Sequence, residues 1–440
     1  MGVSERRGNQ LAVQVAVVVV VVVFTFWAVL FDGTRKHTRH FAPKEVREKE
    51  LAGWGEDGGG GRIEAGEGAA RCPPPKRILA WTTFWRQYSF AWEKIFFRQV
   101  SRQCPESRCE LVYEHQLLDS VDAVLFHPPD MAPAYALPKT RPPGQPWIFF
   151  SLESPSTLES QVKLSNLSGV FNWTMTYRRD SDIVVPYGVI TPRPVTPGPD
   201  KDYWARKSQN KLVAWAVSHC NTASRREWFV KELVQHISVD VYGRCGSKKC
   251  GRNLSYKWVG TFNQTECNTM IEGYMFYLAF ENSICQDYIT EKFYQALTLD
   301  VIPVVLGGGD YLNEAPPHSY IDALAFPSPK KLAEYLKRVA ENREAYNRYF
   351  AWKPYYTVEL GHPFLPFVCD LCAKLHDPAS LAVPNVTRSA SERAGVVGVT
   401  RGRDGNGSYP DMAGWFSKAS GCRRWWKDSH DHKTHSHTSR

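Results

Sequence analysis

Residues 276–297 constrain the chain more than any other stretch. Phe276, Tyr277, Leu278, Ala279 and Phe280 form an apolar run of strand length, and after a polar turn Ile289, Phe293, Ala296 and Leu297 recur at helical spacing. The stretch is a strand-loop-helix unit. At about 100° per residue, Tyr288, Glu291, Lys292 and Gln295 fall on the other face of the helix, near an N-terminus that Asp287 or Thr290 is placed to cap. Lys292 is the informative residue. A cation in the first turn works against the helix dipole, whereas an anion bound there is held by the free N–H groups and the lysine together. Phosphate is the natural candidate, and Glu291 beside it is placed to take a sugar hydroxyl, as carboxylates do in dinucleotide folds. On spacing alone, the plainer explanation is a solvated polar face.

A chain of 440 residues is long enough for two domains with full cores plus appendages. The formal charge of +9 suggests an anionic partner, but no zinc-finger or basic-zipper pattern accompanies it, and nucleic acid is set aside. Eleven cysteines are many for a cytosolic protein. Cys104 and Cys109, Cys245 and Cys250, and Cys369 and Cys372 lie close in sequence, a spacing that fits local disulfides or metal ligands. Zinc would need Cys369 and Cys372 to meet Cys245 and Cys250. Disulfides rank first, and the odd count leaves at least one thiol free or intermolecular. Six sequons, at Asn166, Asn172, Asn253, Asn263, Asn385 and Asn406, favour a lumenal setting.

Residues 11–31 are apolar except for Gln14 and Thr25, and at about 1.5 Å per residue such a run crosses a bilayer core. The run is long for a signal peptide and no small-x-small cleavage site follows it. Basic residues flank both sides, Arg6 and Arg7 before, Arg35, Lys36 and Arg39 after. Because long domains translocate largely regardless of charge, the sequons decide the orientation. The expectation is a single-pass type II protein with a cytoplasmic tail at 1–10, an anchor at 11–31 and a flexible, glycine-rich stem at 32–75.

The first folded unit, 76–195, carries short apolar runs at 78–85, 121–126 and 147–152, as buried parallel strands do. The last run ends in Glu153-Ser154-Pro155. Serine before proline starts a helix, which puts Glu153 at the carboxyl end of a strand, where open α/β sheets place their ligands. A second unit, 196–376, reads strand at 212–217, helix at 225–237 with Val230, Leu233, Val234 and Ile237 inward, and strand at 239–242. The 276–297 unit is the next repeat, and 301–306 continues it. Pro303 predicts a bulge or an edge-like position, and Ser328-Pro329 starts a helix through Leu332, Leu336 and Val339. Residues 377–440, ending in His430, His432, His435 and His437, read as a disordered tail rather than a metal-binding one.

Phe-Tyr-Leu-Ala-Phe-Glu-Asn-Ser followed by Asp-Tyr-Ile-Thr-Glu-Lys resembles the donor-binding signature of the α1,3-fucosyltransferases. The resemblance extends over residues 77 to about 376 and is strongest at 277–306 and 177–188. It implies two Rossmann-like domains facing a cleft (GT-B type), inversion at the transferred sugar, GDP-fucose as donor and no required metal. Tyr277, Glu281, Asn282, Tyr288, Glu291 and Lys292 match donor-site positions, with Glu291 expected on the ribose and Tyr288 near the nucleotide. Arg226 matches an arginine that contacts donor phosphates, although His219 stands where asparagine is usual. Leu152-Glu153-Ser154-Pro155 matches the element whose carboxylate deprotonates the acceptor. Asp180-Ser181-Asp182 has the form of a metal site, yet it resembles a family element that is not one, and its carboxylates are read as partners of Arg178 and Arg179.

The sequence therefore points to a Golgi enzyme moving L-fucose from GDP-β-L-fucose to the 3-hydroxyl of N-acetylglucosamine in glycoprotein glycans. Two rivals stand beside it: a membrane-tethered carbohydrate-binding pseudo-enzyme, and a transferase of the same architecture using another sugar nucleotide.

Overall fold

The structure is a computed structural model that describes residues 74–84, 104–131, 137–194, 201–208, 210–249, 265–360, 365–381 and 407–425. All of them belong to one compact unit, Cys72–Arg440. The expected cytoplasmic tail, anchor and nearly all of the stem lie outside the described residues. Among the described residues no helix is long and apolar enough to cross a membrane.

Apolar runs with little polar interruption form strands buried on both faces, and such strands belong in parallel sheets. Six of them, β1 (Lys76–Ala80), β2 (Cys109–Val112), β3 (Ala123–Phe126), β4 (Trp147–Ser151), β5 (Trp173–Thr176) and β6 (Ile183–Val184), make a sheet of order β2-β1-β3-β4-β5-β6. Every pairing in it is parallel. β7 (Val189–Pro192) then leaves this sheet. The second sheet contains β8 (Val213–Ala216), β9 (Val239–Tyr242), β10 (Phe276–Phe280), β11 (Ile302–Leu306) and β12 (Ile321–Asp322), again all parallel, in the order β12-β11-β10-β8-β9. β13 (Tyr356–Glu359) runs back antiparallel to β7. Both large sheets are doubly wound, with the strand order reversing between β1 and β3 in one and between β8 and β10 in the other. At such a reversal the loops leaving adjacent strands diverge and open a crevice at their carboxyl ends.

β10 pairs with β11 residue for residue from Phe276↔Ile302 to Phe280↔Leu306. Pro303 causes no bulge; the second neighbour, β12, begins only at Val304, so the proline is edge-like on that side. The helix Glu291–Thr298 buries Phe293, Tyr294, Ala296 and Leu297, each large apolar side chain contributing about 1.5–3 kcal/mol. The helix Pro329–Glu341 starts at the Ser328 cap and buries Leu332, Leu336 and Val339 as its period predicts.

Three expectations need correction. The helix after β8 is Arg226–Leu233, shorter than 225–237, and Val234 is 45% exposed because the chain turns out of the helix there. The helix Leu365–His376, read from sequence as part of the second domain, packs Val368, Leu371 and Leu375 into the core of the first sheet. Residues 407–425 are not a disordered tail: Met412, Trp415 and Phe416 are buried in that same core, around a short π-helix at Gly414–Lys418.

The cysteines join distant parts of the chain rather than sequence neighbours. Cys104 bonds Cys369, Cys109 bonds Cys372, Cys220 bonds Cys245 and Cys285 bonds Cys422. Short sequence spacing misled because the topology brings the segment around Cys104–Cys109 against the helix carrying Cys369 and Cys372. These pairings leave no Cys245/Cys369/Cys372 thiolate set for zinc. Cys109, Cys372 and His376 do converge, but both sulfurs belong to one disulfide. Cys250 lies outside the described residues.

Candidate functional site

The loops leaving β8 and β10 meet where the second sheet reverses. Ser224 N–H donates to the Asn282 carbonyl at 2.9 Å and Ser224 Oγ to the Glu281 carbonyl at 2.8 Å. Arg226, 3% exposed, donates to the Phe280 carbonyl at the end of β10 and to the His219 carbonyl, the latter at 3.2 Å. Its guanidinium therefore ties the two loops together at the crevice. Close approach at the next strand end needs Gly308, where a β-carbon would lie 2.6–2.8 Å from the backbone of Cys285.

Thr290 occupies the N-cap position of the helix Glu291–Thr298, but its own side chain does not cap it. Glu281, fully buried, accepts the Thr290 N–H at 2.8 Å and the Thr290 hydroxyl at 2.8–2.9 Å. A buried carboxylate at a helix N-terminus is stabilised by just these donors. Lys292 Nζ lies 2.7 Å from Thr290 Oγ1, 3.0 Å from Glu291 Oε1 and 3.3 Å from Glu281 Oε2. Burial disfavours the charge on Lys292, but Glu281 and Glu291 outweigh it and hold the ammonium above its ordinary pKa, with Arg226 opposing them. Burial also lifts the Glu281 carboxyl, and Lys292 pulls it back. With every carboxylate oxygen satisfied, we take the pair as charged. Glu281 thus does not face a ligand as the donor-site match implied; it positions Lys292 from beneath.

Glu153 comes from the other sheet, at the carboxyl end of β4. Burial pushes its pKa up to about 7, Lys292 opposes the shift, and Glu291 and Glu281 add to it. Its flanks are fixed: the Leu152 carbonyl accepts from the Tyr187 hydroxyl, and Ser154 Oγ lies 2.7 Å from Ser283 Oγ on the loop after β10. Ser154 also caps the helix Pro155–Leu158 through Thr157 N–H. Glu153 lies within the field of Lys292, and Lys292 within that of Arg226.

The remaining predicted residues divide. Asn282 has its Oδ1 buried without a hydrogen-bond partner among the described residues, an acceptor available to a ligand N–H. Glu291 and Lys292 are partly exposed, at 26% and 20% of their side chains. Tyr277 is half-buried on β10 opposite Ala214 and Pro303. Tyr288 is 2% exposed and packs edge-on against Tyr177 and Tyr187 with centroids at 4.9 and 6.4 Å, so it sits in the aromatic core beside Glu153 and not at an open nucleotide surface. His219 is exposed; desolvation of the ring and the charges of Arg226 and Arg244 lower its pKa, keeping the imidazole neutral near the crevice.

Asp180 holds Arg178 with a two-point ion pair at 2.8 and 2.9 Å. Asp182 does not pair with Arg179. It accepts from Thr174 N–H and from Tyr409, both at 2.9 Å, while Arg179 pairs with Glu314. Asn166 is exposed. Asn172 is half-buried, accepts Trp147 N–H at 2.9 Å and donates to Ser408 at 3.3 Å, a placement that disfavours a glycan there. Asn253, Asn263, Asn385 and Asn406 lie outside the described residues. The sequence reading missed a buried pair at the reversal of the first sheet, His127 and Asp130, 3.2 Å apart just after β3. The available signal was a histidine ending an apolar strand, three residues before an acid.

The profile described as "Fucosyltransferase, N-terminal" matches residues 73–188, and that of "Glycosyltransferase family 10 (fucosyltransferase) C-term" matches residues 206–389. Alpha-(1,3)-fucosyltransferase C of Drosophila melanogaster is 38% identical over 332 residues, covering 69% of this chain and 74% of the relative. The chain belongs to the glycosyltransferase family 10 fucosyltransferases. Among other members, alpha-(1,3)-fucosyltransferase 7 of Bos taurus is 40% identical over 276 residues, 61% of this chain and 73% of that one. A solved alpha1,3-fucosyltransferase with GDP-fucose aligns over 72% of this fucosyltransferase and 94% of its own chain, at 15% identity and a TM-score of 0.46, a likeness from which no side-chain geometry follows. The two matched profiles cover Glu153 and the Arg226–Lys292 region respectively, and neither match extends to residues 407–425.

Proposed function

We propose that the chain moves L-fucose from GDP-β-L-fucose to the 3-hydroxyl of an N-acetylglucosamine in a glycoprotein glycan, with inversion at the anomeric carbon. The observation that supports this reading is the contact between the two loops, Ser154 Oγ beside Glu153 lying 2.7 Å from Ser283 Oγ after β10, with Glu153 within the field of Lys292 from the other sheet. In the two-domain GT-B reading, Glu153 serves the acceptor side and the β8/β10 crevice the donor side.

Glu153 takes the proton of the acceptor 3-hydroxyl as the oxygen bonds to the fucose anomeric carbon. The bond from that carbon to the diphosphate breaks, and its electron pair leaves with GDP. The sugar passes through an oxocarbenium-like transition state, by analogy with inverting glycoside chemistry. A base needs a pKa near the working pH, and a value of about 7 meets that need. Negative charge grows on the departing diphosphate, where Lys292 and Arg226 stabilise it best if fixed beforehand. In this scheme Asn282, Tyr277 and Glu291 contact the nucleotide and its ribose, Tyr288 backs the site, and Glu281 acts only through Lys292. No residue is assigned to a metal.

We also place the enzyme in the Golgi membrane, as a type II protein held by residues 11–31. The apolar run supports the anchor, and disulfides such as Cys104–Cys369 and Cys109–Cys372 support an oxidising lumen.

The test is transfer itself. The purified chain, given GDP-fucose and an N-acetylglucosamine-containing glycan, should release GDP and form an α1,3 linkage, with GDP and not UDP competing. Binding of glycan without transfer would favour the pseudo-enzyme, and competition by UDP would favour another donor.

A further inference from the structure

His219 follows the carboxyl end of β8, a strand at which the second sheet reverses, and its loop is held from several sides. Gly243, just past β9, comes so close that a β-carbon there would lie 2.5 Å from the Val217 carbonyl oxygen and 3.3 Å from Ser218 Oγ. On that side Arg244 Nε donates to the Ser218 carbonyl at 2.9 Å, and Cys220 is bonded to Cys245. Towards β10, Arg226 donates to the Phe280 carbonyl and to the carbonyl of His219 itself, the latter at 3.2 Å. At the far end of the loop Trp425 gives its indole N–H to the Arg225 carbonyl at 2.7 Å. The backbone on either side of His219 is therefore fixed, while the residue itself is exposed.

The charges acting on the ring are mostly positive. Arg226 faces it from the helix after β8, Arg244 from the turn after β9 and Lys292 from the helix after β10, and Glu227 opposes them. That acid is itself engaged, its Oε2 accepting the Thr222 hydroxyl at 3.0 Å. Glu281 and Glu291 keep Lys292 charged. Partial burial, then Arg226 and Arg244, hold the imidazole below its ordinary pKa, because a proton added beside cations raises the energy of the site. An anion among the same groups reverses that sign.

We propose that the His219 imidazole is a contact of the donor's diphosphate and takes a proton from solvent as the donor binds, so that donor affinity rises as pH falls. The proposal rests on the fucosyl-transfer reading, in which Lys292 and Arg226 face the leaving diphosphate. A diphosphate between those two brings negative charge into the field of His219 and favours the imidazolium. Both ring nitrogens then donate, and the added charge stabilises departing GDP. Lysine or arginine at this place would be charged at every physiological pH, whereas histidine changes charge within that range. The sign follows: affinity is highest where the free protein already carries the proton, and lowest where the ring stays neutral with the donor bound.

The experiment measures GDP-fucose binding by calorimetry between about pH 5 and about pH 8. It uses the full chain carrying Glu153→Gln, so that neither turnover nor the titration of Glu153 enters. GDP-fucose replaces GDP as the probe because the sugar ester removes the ionisation of a terminal phosphate. Affinity should fall about tenfold from the acid to the alkaline end, the worth of one charge-assisted contact. Near the middle of the range binding should take up protons, read from the heats in two buffers of different ionisation enthalpy. Adding His219→Asn should make affinity nearly level with pH and abolish the uptake. Adding His219→Lys should hold affinity near its acid-end value throughout, since that cation does not titrate in the range. Affinity level with pH in the parent chain, or a tenfold fall that survives His219→Asn, would overturn the proton-linked contact and leave the transferase reading standing. Absence of GDP-fucose binding at every pH, in the wild type and in Glu153→Gln alike, would overturn both.

Discussion

Lys292 Nζ lies 3.3 Å from Oε2 of Glu281, a carboxylate with no exposed surface that also receives the N–H of Thr290. One buried acid therefore caps the helix and holds the cation. In the proposed mechanism the departing diphosphate meets a lysine already oriented, with Glu281 and Glu291 keeping it charged. Fixing the charge in advance is what makes it effective when the leaving group departs.

Glu281→Ala should accordingly fail in stability first. Removing one partner of a buried ion pair costs about 3–5 kcal/mol, and the Thr290 cap is lost with it. Denaturant unfolding should show the loss, with weakened GDP binding as a secondary effect. A variant that melts with the wild type would mean that Glu281 does not support Lys292.

Lys292→Ala should also lose stability, because it leaves the fully buried Glu281 carboxylate without its cation, though less than Glu281→Ala does, since Glu281 keeps both Thr290 donors. GDP affinity should fall about tenfold or more, the worth of a charge-assisted contact. Calorimetric titration with GDP checks it, and unchanged affinity would remove Lys292 from the donor site.

Glu153 ties activity and stability to pH in opposite directions. As a base it works ionised, so kcat/KM should rise with pH and level off above about 7. Its folded pKa is raised from the usual 4.5. Below 4.5 both folded and unfolded chains carry the proton and there is no penalty. As pH climbs toward 7 the unfolded chain ionises first, and stability is lost. Glu153→Gln should abolish transfer, leave GDP binding nearly intact, and raise the melting temperature by about 2 °C or more at pH 8 with no gain at pH 4. Full activity in that variant would exclude Glu153 as the base.

The elements that carry the candidate residues were legible in the sequence because they are written in local patterns. The β10 run and the period of Phe293 and Leu297 specify a strand and a helix, whereas Glu153 is one acid among many until the resemblance of Leu152-Glu153-Ser154-Pro155 to the family element singles it out. The role of Glu281 was not legible. A carboxylate one residue past a strand looks like a ligand group, and only the return of Thr290 over it turns it into a buried cap. The 407–425 segment was missed for a related reason: Met412, Trp415 and Phe416 are sparse apolar residues in polar text, with no period to announce a core. Long-range partners, Cys285 for Cys422 and Arg225 for Trp425, are set by topology and leave no local trace.

That segment is testable by its own bond. Cys422→Ser should destabilise the chain by about 3 kcal/mol, typical for loss of a disulfide, and a chain ending at residue 406 should fail to fold, since it also loses buried Trp415 and Phe416. Thermal melting and solubility of the two variants check this. A stable, active chain without residues 407–425 would make the segment an ornament of the fold.

Tyr187 offers the finest test of how Glu153 is held. The phenol is buried at 4% exposure, donates to the Leu152 carbonyl immediately before Glu153, and stacks edge-on over Tyr288. Tyr187→Phe keeps the ring and its packing but leaves the carbonyl without this donor, at a cost of about 1–3 kcal/mol. If the bond serves only stability, melting temperature falls and the kinetics stay put. If it aims the acid, kcat should fall about tenfold with little change in KM for GDP-fucose. The pH at which activity levels off should also move, because a carboxylate freed from its place loses the desolvation that lifts its pKa. The pH profile separates the two outcomes, since an effect on stability alone has no means of shifting it.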